Sequence, residues 1–244
     1  MLHDSADFII KKLKWDTDFW GFGVLDIRGQ LSEHATSMSD ILINHDSRFA
    51  QYTCDAYEVD YARQAEILGF LHGDIRITLQ RELTNNDLKF KQRDIHIATK
   101  CDIQTLKTIA DGMYIDSRYS NDSHFNPDRV CDFYKEWVSN SVLGTFDDMC
   151  FCIAEDMVPV GFCTLKHTSY DAASIGLIGI DLDYQGRGLA TKLLRGVCCN
   201  AFKQGCRVIS VATQGRNVTA QRLYQRSGFT TSTVELIYHY WREM

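Results

Sequence analysis

Gln185-Gly186-Arg187-Gly188-Leu189-Ala190 is the stretch from which the fold can be read. Before it comes a nearly continuous apolar run, Ser174 to Asp181, of the kind found in strands at the centre of a sheet. After it the spacing predicts an amphipathic helix over Leu189 to Lys203. Leu189, Leu193, Val197 and Ala201 stand four apart, and Ala190, Leu194, Cys198 and Phe202 form a neighbouring row. Glycines at 186 and 188 let the backbone approach a ligand closely. The helix start adds unpaired N–H groups and a positive dipole end. Strand, glycine turn and helix start together make an anion site suited to a pyrophosphate. The spacing is neither that of a P-loop nor that of a Rossmann turn. Taken alone, Gly-x-Gly also fits an ordinary turn before a helix.

Downstream, Gly205 ends the helix, Val208 to Ala212 reads as a β-branched strand, and Asn217 to Ser227 as a helix stopped by Gly228. Val234 to Tyr240 is a last strand. Upstream, Cys150 to Ala154 and Val160 to Lys166 form a hairpin across Glu155–Pro159. Val130 to Ser141 and Cys101 to Ala110 are helices, the second with Asp102 as cap, and Ile95 to Thr99 is a strand. Ser117 to Asp128 is polar and aromatic and reads as a loop. The first ninety residues mix strands (Phe8–Leu13, Gly23–Ile27, Phe49–Cys54, Asp74–Leu83) with helices (Ser32–Asn44, Tyr61–Leu68). Thr84 to Asp87 marks a boundary, giving domains at 1–90 and 91–244. Arg63 to Phe70 echoes Gln221 to Phe229: helix, Gly-Phe, then strand. The echo suggests two related halves.

Composition sets the outer limits. The chain has 244 residues, 45% hydrophobic and 24% charged, which fits a globular α/β protein with a sizeable core. A net charge of −6 argues against nucleic acid as partner. No apolar run reaches the roughly 20 residues of a membrane span, and Met1 to Lys14 shows no secretion signal, so a cytoplasmic location is expected. Nine cysteines then read as reduced, mostly buried thiols. None stands at zinc-motif spacing, and no metal is expected.

The Gln185–Ala190 segment resembles the acyl-CoA signature of the GCN5-related N-acetyltransferase (GNAT) superfamily. The hairpin Phe151 to Lys166 is similar to that family's second and third strands. Asn217-Val218-Thr219-Ala220, Leu223-Tyr224 and Gly228-Phe229 are similar to its closing segment. A narrower resemblance, to TDP-fucosamine acetyltransferases, rests on four segments: Trp15 to Gly21, Ser117-Arg118-Tyr119, Gly144 to Asp147 and Val211 to Gln214. The Gln185–Ala190 loop itself looks closer to the wider superfamily.

The resemblance implies a GNAT fold, a mixed central sheet flanked by helices, preceded by a partial GNAT-like N-terminal domain. It implies acetyl-CoA as cosubstrate and a TDP-linked amino deoxysugar as acceptor, in synthesis of surface polysaccharide precursors. A homodimer is implied by resemblance only. The backbone of Ile178, Gly179 and Ile180 would pair with the pantetheine arm. Gln185, Gly186, Arg187, Gly188, Leu189, Ala190 and Thr191 would hold the pyrophosphate, with Arg187 and Lys192 adding charge or standing as solvated surface. Tyr224 matches the general acid; read from its helix alone it is a core aromatic. Asn217 matches a pantetheine or phosphate contact and is also an N-cap. Arg118, Tyr119 and His124 are candidates for the acceptor's nucleotide diphosphate, unless theirs is an ordinary polar loop. His167, Asp171, Glu155 or a water chain could serve as base. Two rival readings remain: the same chemistry on a peptide amine or polyamine, and a non-catalytic acyl-CoA sensor.

Overall fold

The computed structural model describes residues 8–31, 37–90 and 95–243. The expected helix start at Ser32 and the expected start of the second domain near Arg93 lie outside these residues. Two compact units emerge: residues 1–77 with 233–244, and residues 78–232.

The first unit has β1 (Phe8–Lys12), α1 (Lys14–Trp20), β2 (Val24–Gly29), α2 (Met38–Asn44), β3 (Phe49–Asp55) and α3 (Val59–Ile67). β1 and β2 pair antiparallel, and β2 and β3 pair parallel. The C-terminal strand β10 (Thr230–Trp241) returns to pair antiparallel with β3, from Glu235↔Asp55 to Trp241↔Phe49. The core gathers Leu25, Ile27, Leu42, Tyr52, Phe70 and Tyr238. Tyr52 is buried there because its hydroxyl donates to Gly29 O at 2.7 Å. Helix α1 escapes prediction because it is one short stretch without a buried residue. It leaves no apolar stripe in the sequence.

Strand β4 (Leu71–Glu82) begins in the first unit and ends in the second. The second unit continues with β5 (Ile95–Ile97), α4 (Ile103–Ala110), α5 (Pro127–Val142), β6 (Met149–Glu155), β7 (Val158–His167), β8 (Ala172–Ile180), α6 (Leu189–Lys203), β9 (Val208–Gln214) and α7 (Val218–Arg226). Strands run in the order β9-β8-β7-β6-β5, with only β8 and β9 parallel among these neighbours. Helix α6 has the predicted bounds and buries Leu189, Leu193, Leu194, Val197, Cys198 and Ala201. Helix α5 starts earlier than the spacing predicts. Asn126 accepts N–H groups from Asp128 and Arg129, and Pro127 occupies the first turn, where a missing donor costs nothing. No helix among the described residues is long and apolar enough to cross a membrane.

The two units end a helix in the same way. Gly69 and Gly228 both have φ 87°. Phe70 N donates to Ala65 O at 2.9 Å, and Phe229 N to Tyr224 O at 3.0 Å. This is a left-handed glycine cap with a bond five residues back. The Gly-Phe echo in the sequence is therefore matched by hydrogen bonding, and Ala65 stands where the second unit has Tyr224.

Buried thiols give the fold a pH dependence. Burial pushes the Cys198 thiol up to about 12 and the Cys163 thiol in the same direction. Unfolded thiols ionise near 9. Their contribution to stability is therefore complete below about pH 9 and is lost as pH rises towards the folded values. Urea midpoints should fall between pH ~8 and ~10.5, steeply enough to resolve by fluorescence; a flat profile would contradict this burial.

Candidate active site

The β8–β9 ladder runs from Ala172↔Val208 to Ile175↔Val211 and stops there, although both strands continue. On its other edge β8 stays paired with β7 as far as Gly161↔Ile180. The register of β7 and β8 shifts between Cys163 and Leu165. At the shift, the Leu177 amide donates to Thr164 Oγ1 at 2.8 Å rather than to a backbone carbonyl. Asp181 N donates to Val160 O at 2.9 Å on the same side. Backbone groups two residues apart share a strand edge. Leu177, Gly179 and Asp181 therefore turn their amides to β7, and Ile178 and Ile180 turn theirs to the opening beside β9. The groups on that edge confirm the alternation: Tyr114 Oη donates to Ile178 O at 3.3 Å, and Gln185 Nε2 to Ile180 O at 3.0 Å.

Glycines in β8 make room for what surrounds the opening. A Cβ on Gly179 would collide with Met113 Sδ. One on Gly176 would collide with Asp147 Oδ2 and stand 2.8 Å from Thr164 Oγ1. Asp147 is buried and accepts from Trp137 Nε1 at 2.8 Å and Ser141 Oγ at 3.2 Å. It anchors α5 beside the bulge.

Beyond β8 the chain makes the glycine turn. Gly186 and Gly188 have φ 75° and 77°, and the space where their Cβ atoms would lie is open. Gly188 is the N-cap of α6, and no side chain caps the helix. The amides of Leu189, Ala190 and Thr191 thus start the helix without a side-chain cap. Gln185 anchors the loop to β8 through the bond above. Arg187 is held within the loop: it donates to Asp183 O at 2.8 Å, lies 4.8 Å from the centre of the Tyr184 ring and pairs with Glu155 at 3.6 Å. Glu155 and Lys192 border an open recess with Ile153, Ala154, Asp156 and Leu189.

Tyr224 on α7 is 3% exposed. Its hydroxyl lies within electrostatic range of Cys163 and of Tyr114, and has no hydrogen-bond partner among the described residues. Burial raises its pKa well above the ordinary phenol value, so it carries its proton across the neutral range. Tyr114 is raised by the same cause, and its ring stacks on Tyr134 at 4.4 Å. Tyr114 thus borders the opening through Ile178 O, with the neutral Tyr224 within electrostatic range of it. Asn217 caps α7, its Oδ1 accepting from Ala220 N at 2.9 Å.

The remaining candidates lie elsewhere in the second unit. Tyr119 is 1% exposed, with Phe125 and Phe133 rings at 4.9 and 5.1 Å. Its ring is core, and Arg118 covers it at 4.3 Å while donating to its hydroxyl at 2.9 Å. His124 pairs with Asp122 at 2.8 Å on the surface. His167 pairs with Asp148 and stands opposite Ala173. Ala173 lies five residues before Ile178, about 17 Å along a strand. His167 and neighbouring Asp171 therefore sit at the paired end of β8, away from the opening. Glu155 serves the α6 end. Sequence reasoning had no signal for Tyr114 and Met113, which come from an irregular segment without periodicity.

Residues 113–229 match the Acetyltransferase (GNAT) family. The dTDP-fucosamine acetyltransferase of Escherichia coli O6:H1 is 30% identical over 133 residues, covering 54% of this chain and 56% of that protein. The spore coat polysaccharide biosynthesis protein SpsD of Bacillus subtilis is 28% identical over 141 residues, covering 57% and 48%. The chain thus spans about half the length of these curated relatives. In fold it is similar to a GCN5-related N-acetyltransferase from Sphaerobacter thermophilus, with TM-score 0.61 and 14% identity over 98% of this chain and 78% of that one.

The bulge can be tested directly. Thr164→Val keeps the shape and removes the acceptor of the Leu177 amide. It should cost about 1–3 kcal/mol, read from urea denaturation; an unchanged midpoint would mean the bond does not hold the bulge.

Proposed function

We propose, starting from the GNAT acetyltransferase domain that residues 113–229 make up, that this protein moves acetyl from acetyl-CoA to the amine of a nucleotide-linked amino deoxysugar. The observation that supports the chemistry is the edge of β8 left open where β9 departs, with the buried Tyr224 within electrostatic range of Tyr114, whose hydroxyl binds Ile178 O on that edge. The sugar rests on the similarity to the dTDP-fucosamine acetyltransferase, and SpsD adds a polysaccharide context.

The residues present fit acetyl-CoA. A pantetheine arm is an extended chain of amides, and Ile178 and Ile180 offer it a strand edge. The open glycine turn and the uncapped start of α6 suit a diphosphate. Gly179 contributes space rather than a hydrogen bond, since its amide faces β7. Gln185 shapes the turn from beneath.

Chemistry then follows from what each group can do. The acceptor amine, neutral, attacks the thioester carbon with its lone pair. Negative charge develops on the thioester oxygen, where an amide of the Ile178–Ile180 edge can donate to it. As the C–S bond breaks, Tyr224 gives its proton to the sulfur. A phenol kept neutral by burial holds the proton that this donation needs throughout the neutral range. The amine's proton leaves to solvent, and Tyr224 takes a proton back from solvent before the next cycle. On the acceptor side, Arg118 remains the cationic candidate for a diphosphate and His124 a further hydrogen-bonding candidate, while Tyr119 supports Arg118 from the core. The first unit, with Ala65 at the position matching Tyr224, is read as a partial copy of the fold that lacks the acid.

Turnover should be measured as thiol release from acetyl-CoA with TDP- and UDP-linked amino sugars, a polyamine and a lysine peptide. Release confined to a TDP-4-amino sugar is expected; release only with peptide or polyamine would overturn the acceptor assignment. Tyr224→Phe should lower kcat by about 10²–10⁴ with little change in the KM for acetyl-CoA. Full turnover in that variant would remove Tyr224 as acid.

A further inference from the structure

The sheet edge at β5 carries a second cluster of chemically competent side chains, apart from the β8–β9 opening. His96 on β5 and Cys152 on β6 are direct cross-strand partners. Cys152 Sγ lies 3.0 Å from His96 Nε2. Asp102 approaches from the turn that precedes α4. It is held there because its Oδ2 accepts from Thr99 N at 2.7 Å and from Thr99 Oγ1 at 2.9 Å. One donor atom from each of the three residues lies within 4.8 Å of the others. Cys152 is buried, Asp102 half-buried and His96 exposed, so the cluster opens to solvent on one side.

We propose that His96, Asp102 and Cys152 form a binding site for a zinc-type divalent cation, with a fourth position open to water. The donor set chooses the metal. One thiolate, one imidazole and one carboxylate suit zinc, whereas magnesium and calcium require oxygen. A zinc tetrahedron with bonds of about 2.0–2.3 Å has edges of roughly 3.3–3.6 Å. The Cys152 Sγ–His96 Nε2 separation of 3.0 Å lies just below that range and the others are within 4.8 Å, so small side-chain rotations close the site. Binding forms the metal–sulfur bond and releases the thiol proton to solvent. Thiolate and carboxylate then balance the two positive charges of the ion. No motif spacing announces the site, because two ligands meet across strands that are far apart in sequence and the third comes from a turn.

The consequence is mechanical. Strand β5 has only three residues and pairs with β6 alone among the described strands. A metal joining β5, β6 and the Asp102 turn would clip this edge in place. The inference does not depend on the proposed acetyl transfer.

Cobalt titration of the chelator-treated full chain tests it, because a cobalt–thiolate bond has its own charge-transfer band. One equivalent should bind with that band and tetrahedral d–d bands, and zinc should displace it. Cys152→Ser should lose the charge-transfer band. Cys101→Ser should keep it, which excludes the exposed neighbouring thiol. His96→Ala alters an exposed side chain and so spares the fold; it should weaken cobalt binding at least tenfold. The proposal is overturned if the native chain gives no charge-transfer band, if the band survives Cys152→Ser or vanishes in Cys101→Ser, or if His96→Ala binds as tightly as the native chain.

Discussion

The hydrogen bond from the Leu177 amide to the Thr164 hydroxyl fixes which way each later amide of β8 points. A strand alternates its donors between two edges, so one anchored amide determines the rest. With Leu177 bound to β7, Ile178 and Ile180 must face away from it. Where β9 has already left the ladder, after Ile175↔Val211, those amides face an opening instead of a neighbour. An extended ligand with amide groups can take the place of the missing strand. The glycines of β8 belong to the same constraint: Gly176 and Gly179 admit Asp147 and Met113 against the strand, closing the opening from one side.

Neutral groups supply much of the electrostatics around the opening, with the Asp147 carboxylate bound to Trp137 and Ser141 on one side. Tyr224 and Tyr114 are both held neutral by burial, so they and the backbone amides offer neutral donors there. Neutral donors of this kind are what the proposed acetyl transfer would use to stabilise negative charge on a thioester oxygen. Charge is kept to the periphery. Arg187 is tied to its own loop and to Glu155, and the His167–Asp148 pair stands at the far end of β8.

Much of this was legible in the sequence where local signals agreed. Helix α6 combines a continuous apolar stripe with glycines at each end, and its predicted bounds are those observed. The Gln185–Ala190 turn and the Gly228 cap were readable because only glycine adopts their backbone angles easily. Tyr119 shows the limit. Its neighbours in sequence are polar, yet three-dimensional packing turns its ring into the core beside Phe133. Tyr114 shows the converse, an aromatic in an irregular segment that reaches the Ile178 carbonyl through a contact 64 residues distant in sequence. The return of residues 233–244 to the first unit has no local signature either, since it depends on pairing β10 with β3.

In the proposed reaction Ile178 and Ile180, and not Gly179, would offer their amides to acyl-CoA. Amide hydrogen exchange followed by NMR, with and without CoA, tests it most directly. Saturating CoA should slow exchange at Ile178 and Ile180 while leaving Gly179, already paired with Phe162 across β7, nearly unchanged. Equal slowing at all three, or none at Ile178 and Ile180 despite bound CoA, would contradict the account.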